Sequence, residues 1–390
     1  MIRSKSIQTA LVHGEYTAPA FSGCAPPTQR ASTVLFRDVA DLRAHDGRWL
    51  DKSTFLYGLF GTPTSYELEA RLAELEGGAH CLLTPSGLAA IAMVDLALLG
   101  RGDDVLLPDN VYSPSRELGD WLMEKFGISA RYYDPMAPID AQLRPETRLV
   151  WAEAPGSVSM EVPDIPALCA AAHRQGALVA LDNTWSAGLA FSGFGHGADI
   201  VMQALTKYQS GGSDLLMGAV ITRDPELHRR IGLAHLHLGY GVGMDDAYLV
   251  LRSLPTLKMR FEAHDAGARA VAAWLQGRPE IATVLHPACP DCPGHATWKR
   301  DFTGAGGLFS VLFDPAYPEA ATDRFIDGLR LFKLGYSWGG ATSLCLPYRI
   351  QHMRSGWERP GQLVRFYIGL EDPGDLIADI EGALSLLSRS

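Results

Sequence analysis

The sequence predicts an α/β protein, with a large, mostly parallel sheet covered by helices on both faces and a smaller C-terminal α+β domain behind it. Three observations carry that expectation. The 390 residues are 47% apolar and 20% charged, an ordinary globular balance with room for a large core. Between residues 80 and 204 short apolar runs alternate with helical ones, the rhythm of strand–helix–strand units. After Asp224 that rhythm gives way to longer helical stretches and then to mixed strands and helices.

Residues 1–60 show no strong periodicity and read as an N-terminal arm with short helices. Thr64 is suited to cap the first clear helix, with Glu67 completing a capping box. Leu68, Leu72 and Leu75 share one face of it, and Gly77-Gly78 ends it. The run continues as strand His80–Thr84, helix Leu88–Leu99, strand Asp104–Leu107, helix Pro114–Phe126, strand Arg148–Glu153 and helix Ile165–Gln175. Strands at Ala177–Leu181 and Ile200–Ala204 complete it. Helical stretches over roughly 245–277 lead to strands at Gly306–Phe313 and Val364–Gly369. The expected division is an arm over 1–60, a large α/β domain over 61–254 and an α+β domain over 255–390. The glycine clusters at Gly239–Gly243 and Gly304–Gly307 do not follow a strand and open a helix, so they read as turns.

Charge and cysteine usage exclude several classes. A formal net charge of −10 disfavours nucleic-acid and anionic-membrane partners. The opening MIRSKSIQTALVHG has no apolar run behind its basic residues, so no secretory signal is expected. The longest apolar stretch, Gly87 to Gly100, is too short to span a bilayer and carries Asp95 in its middle. Six cysteines are too few for a disulfide scaffold, which points to reduced thiols and a cytoplasmic protein. His286, Cys289, Cys292 and His295 are zinc-ligand types at equal spacing. Pro287, Pro290 and Pro293 between them favour a tight proline-rich loop, so no metal is expected. His235 and His237 would not share a helical face and read as surface or interface residues.

The chemistry-bearing residues gather at strand ends. Asp182 closes an apolar strand (ALVALDNTW), and Lys207 follows the next one in VMQALTKYQSGGSD. Both side chains would emerge at the C-terminal edge of the sheet, where open α/β sheets bind ligands. By themselves these two describe a helix cap and a surface amine equally well. Ser86-Gly87-Leu88 lies between a strand and a helix, a turn whose free N–H groups and positive helix end suit a phosphate. Thr206, beside Lys207, could add a hydroxyl.

Taken with the words around them, these residues resemble a known family. YGLFGTPT (57–64), ELEGG (74–78), TPSGLAAI (84–91), DNVY (109–112), LDNTW (181–185), TKY (206–208), YSWGG (336–340) and RFYIGLED (365–372) match the Cys/Met-metabolism enzymes that use pyridoxal 5′-phosphate (PLP). That resemblance covers nearly the whole chain and implies the fold type I PLP-dependent transferase-like architecture. EAPGSVSMEVPD (153–164), WKRDFTG (298–304) and YSWGG further resemble bacterial cystathionine β-lyases. The activity implied is β-elimination of L-cystathionine to homocysteine, pyruvate and ammonia. Another lyase or γ-acting enzyme of the family, or a non-catalytic PLP-binding regulator, is the alternative.

The resemblance also implies roles. Lys207 matches the lysine that binds PLP and shuttles the Cα proton, and Asp182 the partner of the pyridine nitrogen. Tyr112 matches the aromatic residue stacked on the cofactor ring. Ser86, Gly87, Leu88 and Thr206 fall where the family holds the phosphate. Arg365 matches the arginine that clamps the substrate carboxylate, with Ser337, Trp338 and Ser157 lining the same pocket. Tyr57 matches a tyrosine that reaches a neighbouring subunit's active site, which implies a homotetramer. In one place the chain departs: the family commonly reads Tyr-x-Arg, its arginine reaching a phosphate across the subunit interface, where Tyr57 is followed by Gly58 and Leu59. Losing that arginine removes a charge-assisted contact of ~1.5–3 kcal/mol and makes the mouth of the pocket less basic.

Overall fold

The structure is a computed structural model that describes Val12 and residues 23–354 and 356–387. Most of the first 22 residues of the expected arm lie outside the described residues. From residue 23 the arm carries one short helix, Val39–Ala44, with no buried residue, and an isolated bridge from Thr33 to Tyr57.

The larger sheet has seven strands: β1 (His80–Thr84), β2 (Asp104–Pro108), β3 (Ser129–Tyr133), β4 (Thr147–Glu153), β5 (Leu178–Asp182), β6 (Ile200–Ala204) and β7 (Gly218–Thr222). Their order is β1-β7-β6-β5-β4-β2-β3. Neighbours from β6 to β3 pair in parallel, while β7 runs antiparallel to both β1 and β6. Residues along β2, β5 and β6 are buried on both faces, as a sheet covered by helices on each side requires.

The smaller sheet has four antiparallel strands, β8 (Ile281–Leu285), β9 (Leu308–Phe313), β10 (Leu344–Tyr348) and β11 (Leu363–Tyr367), in the order β10-β11-β9-β8. Side chains alternate along β11. Val364 and Phe366 join a core with Phe309, Val311 and Phe325, under the helices Leu257–Gln276 and Pro373–Leu384. Leu363 and Tyr367 join the core that continues beneath the larger sheet. Arg365 lies between them in sequence, so the same alternation turns it toward the larger sheet.

Several sequence expectations shift. β3 (SARYY) and β7 (GAVIT) go beyond the strands the sequence predicts; each is five residues long, too little for a period to show clearly. The helix expected to start at Thr64 is Pro63–Glu76, capped by Thr62. Proline favours the first helical position, which moves the cap one residue before it. Ser65, in the place expected for Glu67, accepts the Thr62 N–H at 2.9 Å. Thr64 instead accepts from Gln29 N–H at 2.8 Å and donates to Pro27 O at 3.0 Å, tying down the arm. The helical stretch over 245–277 is two helices, Met244–Ser253 and Leu257–Gln276, parted by a turn at Leu254–Thr256. Pro255 lacks the N–H that would carry the helix through.

His235 is partly buried, its Nε2 donating to Leu83 O of β1 at 3.0 Å, while His237 is exposed. In the proline-rich loop the His286 ring accepts from Ala288 N–H, Cys292 Sγ donates to Met160 O at 3.3 Å and the His295 ring donates to Pro287 O at 2.9 Å. Among the described residues no three His, Cys, Asp or Glu side chains stand together as a metal site, and no helix is long and apolar enough to cross a membrane.

Candidate active site

A cavity of about 850 Å³ opens where the C-terminal edge of the larger sheet faces the smaller sheet. Each side of it follows from a local sequence rule. Parallel strands end at a common edge, so Glu153 closes β4 beside Asp182, which closes β5, and the two are register partners. Both carboxyls are pushed above the ordinary carboxylate range, first by burial; for Glu153 the Asp182 charge adds to it. Asp182 accepts from Thr184 N–H at 3.0 Å, and Lys207 is the cation that opposes its shift.

Lys207 sits in the loop after β6 and donates to Ser337 Oγ at 2.8 Å, with its Nζ 5.4 Å from the centre of the Trp338 ring. Burial, and then the nearby Arg365 charge, lower its amine to about 8 from the usual 10.5, against the pull of Asp182. The YSWGG segment reaches Lys207 because Gly339 has no side chain. A Cβ there would stand 2.7 Å from Lys207 Cα, and φ at Gly339 is +96°. Arg365, in the middle of β11, is 8% exposed; Nη2 lies 3.4 Å from Ser337 O and Cζ stands 5.1 Å from the Tyr348 ring centre.

Opposite these, Ser86 caps the helix Gly87–Leu98, its side chain accepting from Ala89 N–H at 3.1 Å. A Cβ on Gly87 would meet Ala204 Cβ at 2.8 Å, so the turn packs onto β6 only with glycine there. The Thr206 hydroxyl is engaged with the backbone ahead of β7, 3.2 Å from Met217 N and 3.3 Å from Met217 O. Tyr112 heads the helix Ser113–Phe126 and donates its N–H to Glu153 Oε2 at 3.0 Å. Its half-exposed ring borders the cavity, and its phenol is raised by burial and by the Asp182 and Glu153 charges. Ser157 and Trp338 also line it.

The structure therefore brings together Lys207, Asp182, Tyr112, Ser86, Gly87, Leu88, Thr206, Arg365, Ser337, Trp338 and Ser157. Tyr57 does not join them: it is half-exposed on the arm, outside this chain's cavity lining. Leu59 is also outside the lining. Sequence reasoning missed Glu153, Glu117, Tyr348, Arg349 and Glu319, all of which line the cavity. The strand-end rule that found Asp182 applies equally to Glu153. Arg349 and Glu319 offered no signal, since they meet only through the folding of segments 30 residues apart.

Over residues 8–385 the chain matches the family described as "Cys/Met metabolism PLP-dependent enzyme". The chain belongs to that family. It is similar to the cystathionine beta-lyase of Bordetella avium, 41% identical over 98% of each chain. It is also similar to that of Escherichia coli (strain K12), 37% identical over 98% of each. Among solved structures it resembles a cystathionine gamma synthase from Xanthomonas oryzae pv. oryzae, at 32% identity over 93% of each chain and a TM-score of 0.85. The architecture is accordingly that of the fold type I PLP-dependent enzymes, and PLP is the cofactor.

This family member's own residues fit that cofactor. It needs an amine that loses its proton more readily than an ordinary lysine, a carboxylate held in a buried place and N–H donors for a phosphate. Lys207, Asp182 and the Ser86–Leu88 turn supply these, and a Cβ at Gly87 would close the turn against β6.

Proposed function

We propose that this enzyme is a carbon–sulfur lyase that carries out β-elimination on L-cystathionine, giving homocysteine, pyruvate and ammonia. The observation that carries the reading is the meeting of Lys207, Asp182 and Arg365 in one cavity of a chain 41% identical to a cystathionine beta-lyase. PLP supplies the electron sink that stabilises negative charge at the substrate Cα.

The residues then divide the work. Arg365 clamps the substrate α-carboxylate with its planar fork of donors. Lys207 would hold the cofactor, and its lowered amine is placed to take the Cα proton and to return a proton to the departing sulfur. The short contact from Ser337 Oγ orients that amine. Asp182 would keep a proton on the pyridine nitrogen, and Glu153 beside it, raised by burial and by the Asp182 charge, leaves Asp182 as the carboxylate of the pair. Ser86, Gly87 and Leu88 would present N–H groups to the phosphate with Thr206 beside them, and Tyr112 would offer a ring face to the cofactor. Trp338 and Ser157 exclude water at the sides. Tyr57 serves the site of a neighbouring subunit in a homotetramer, a reading supported by its exposure on the arm. The same proposal includes cytoplasmic localisation and division into an arm over 1–60, a PLP-binding domain over 61–254 and a C-terminal domain over 255–390.

Incubating the purified, PLP-loaded protein with L-cystathionine and identifying the keto acid and thiol tests the reading. Pyruvate with homocysteine is the expected result. 2-Oxobutyrate with cysteine would move the enzyme to the γ-acting branch, which the likeness to a gamma synthase structure keeps as the second reading.

A further inference from the structure

The cavity is larger than the reacting end of a small amino acid needs, and its charges are not all accounted for by the chemistry above. Three cations line it: Lys207, Arg365 and Arg349. Lys207 and Arg365 both reach Ser337 and belong to the reacting end. Arg349 stands apart. It follows Tyr348, which is paired with Leu363, while Arg365 lies two residues further along β11. At about 3.4 Å per residue, Arg349 is roughly 10 Å from Arg365 along the strand axis. Arg349 donates through Nε and Nη2 to a single oxygen, Oε1 of Glu319, at 2.9 and 2.6 Å. The two side chains are 67% and 46% exposed, and a pair so exposed adds little to stability.

We propose that Arg349 and Glu319 form a subsite for the far end of the substrate, an α-amino carboxylate carried by the leaving thiol. This rests on the lyase reading above and adds the selectivity that reading lacks. A guanidinium has five N–H donors, so the contact with one Glu319 oxygen leaves donors for a second carboxylate. The adjacent carboxylate matches the ammonium of the same zwitterionic head. Two arginines spaced along one strand pair thus measure a thioether with a carboxylate at each end. The position where the family has an arginine is Leu59, whose Cδ1 lies by Gly241 and outside the cavity lining, so Arg349 is the cation that the described lining leaves for this end. The substrate class selected is cysteine thioethers and disulfides that are amino acids at both ends, in preference to simple S-alkyl cysteines.

The test compares L-cystathionine with S-ethyl-L-cysteine, which has the same reacting end and no distal charges, in the PLP-loaded wild type and in Arg349→Leu. The ratio of kcat/KM for the first substrate over the second is expected to fall roughly tenfold to a hundredfold in the variant, through KM for L-cystathionine. Arg349→Lys, which keeps the charge without the fork, should fall between. An unchanged ratio in Arg349→Leu, with wild type splitting L-cystathionine, would overturn the subsite alone. Wild type that releases pyruvate from S-ethyl-L-cysteine and nothing from L-cystathionine would overturn the substrate reading itself.

Discussion

Lys207 shows how one side chain is tuned by its neighbours. Burial and the Arg365 charge lower it to about 8, and Asp182 opposes them. Only the neutral amine captures the cofactor aldehyde, so below that value the reactive form is depleted. Apo-protein mixed with PLP at a series of pH values should therefore bind cofactor with a rate that rises through a midpoint near 8, not near 10.5. Lys207→Ala should lose both the visible absorbance of lysine-held cofactor and essentially all turnover; a variant with normal activity would overturn the assignment. Arg365→Leu removes a clamp and a lowering charge together. Its KM should rise roughly tenfold to a hundredfold with a smaller change in PLP affinity. The Lys207 midpoint, read by the same binding rates, should move up. At this scale Asp182 and Lys207 were legible in the sequence because strand ends were. Their shifts were not, since a shift depends on which charges fold in beside the group.

The element that positions the cofactor turn is the packing of the helix Gly87–Leu98 onto β6. With Ala204 Cβ 2.8 Å from where a Gly87 Cβ would be, Gly87→Ala has to push the turn off the strand. We expect a stability loss of about 1–3 kcal/mol in urea unfolding and at least a tenfold weaker PLP affinity by titration. Unchanged affinity would show that the turn's N–H groups do not hold the phosphate. Apart from β3, the helices and strands between 80 and 204 were legible to within a few residues, because their periodicity is local. β7 was not, although it separates β1 from β6. Its first residue, Gly218, passes so close to the turn that a Cβ would lie 2.4 Å from Ser86 O, a contact no sequence window contains.

Across the whole molecule, buried carboxyls set a pH dependence of stability. Asp95, fully buried in the helix Gly87–Leu98, accepts from Trp151 Nε1 at 2.8 Å and is raised to about 7 from 3.8, chiefly by burial. An acid raised in the folded state binds its proton more tightly there than in the unfolded chain. Its favourable contribution is complete below pH 3.8 and is lost as pH rises toward 7, with no further loss above that. The change amounts to about 4 kcal/mol at most. Asp95→Asn should therefore make Tm less sensitive to pH between 4 and 7 than it is in wild type, with both measured by scanning calorimetry. An unaltered slope would place the titration elsewhere, with Glu76, also raised to about 7, the next group to replace.

The sequence by itself determined the fold class, the two ends of the chemistry at Asp182 and Lys207, and the family. These rest on local periodicity, on strand ends sharing an edge, and on words such as LDNTW and YSWGG that keep their spacing in one dimension. Only the tertiary structure decided that Glu153 stands beside Asp182, that Gly339 lets YSWGG lie on Lys207, and that Arg349 meets Glu319 at the cavity. Each of those depends on a register or a close approach between segments far apart in the chain. Hydrophobic burial selects such meetings collectively, and no single residue's type records the partner it will find.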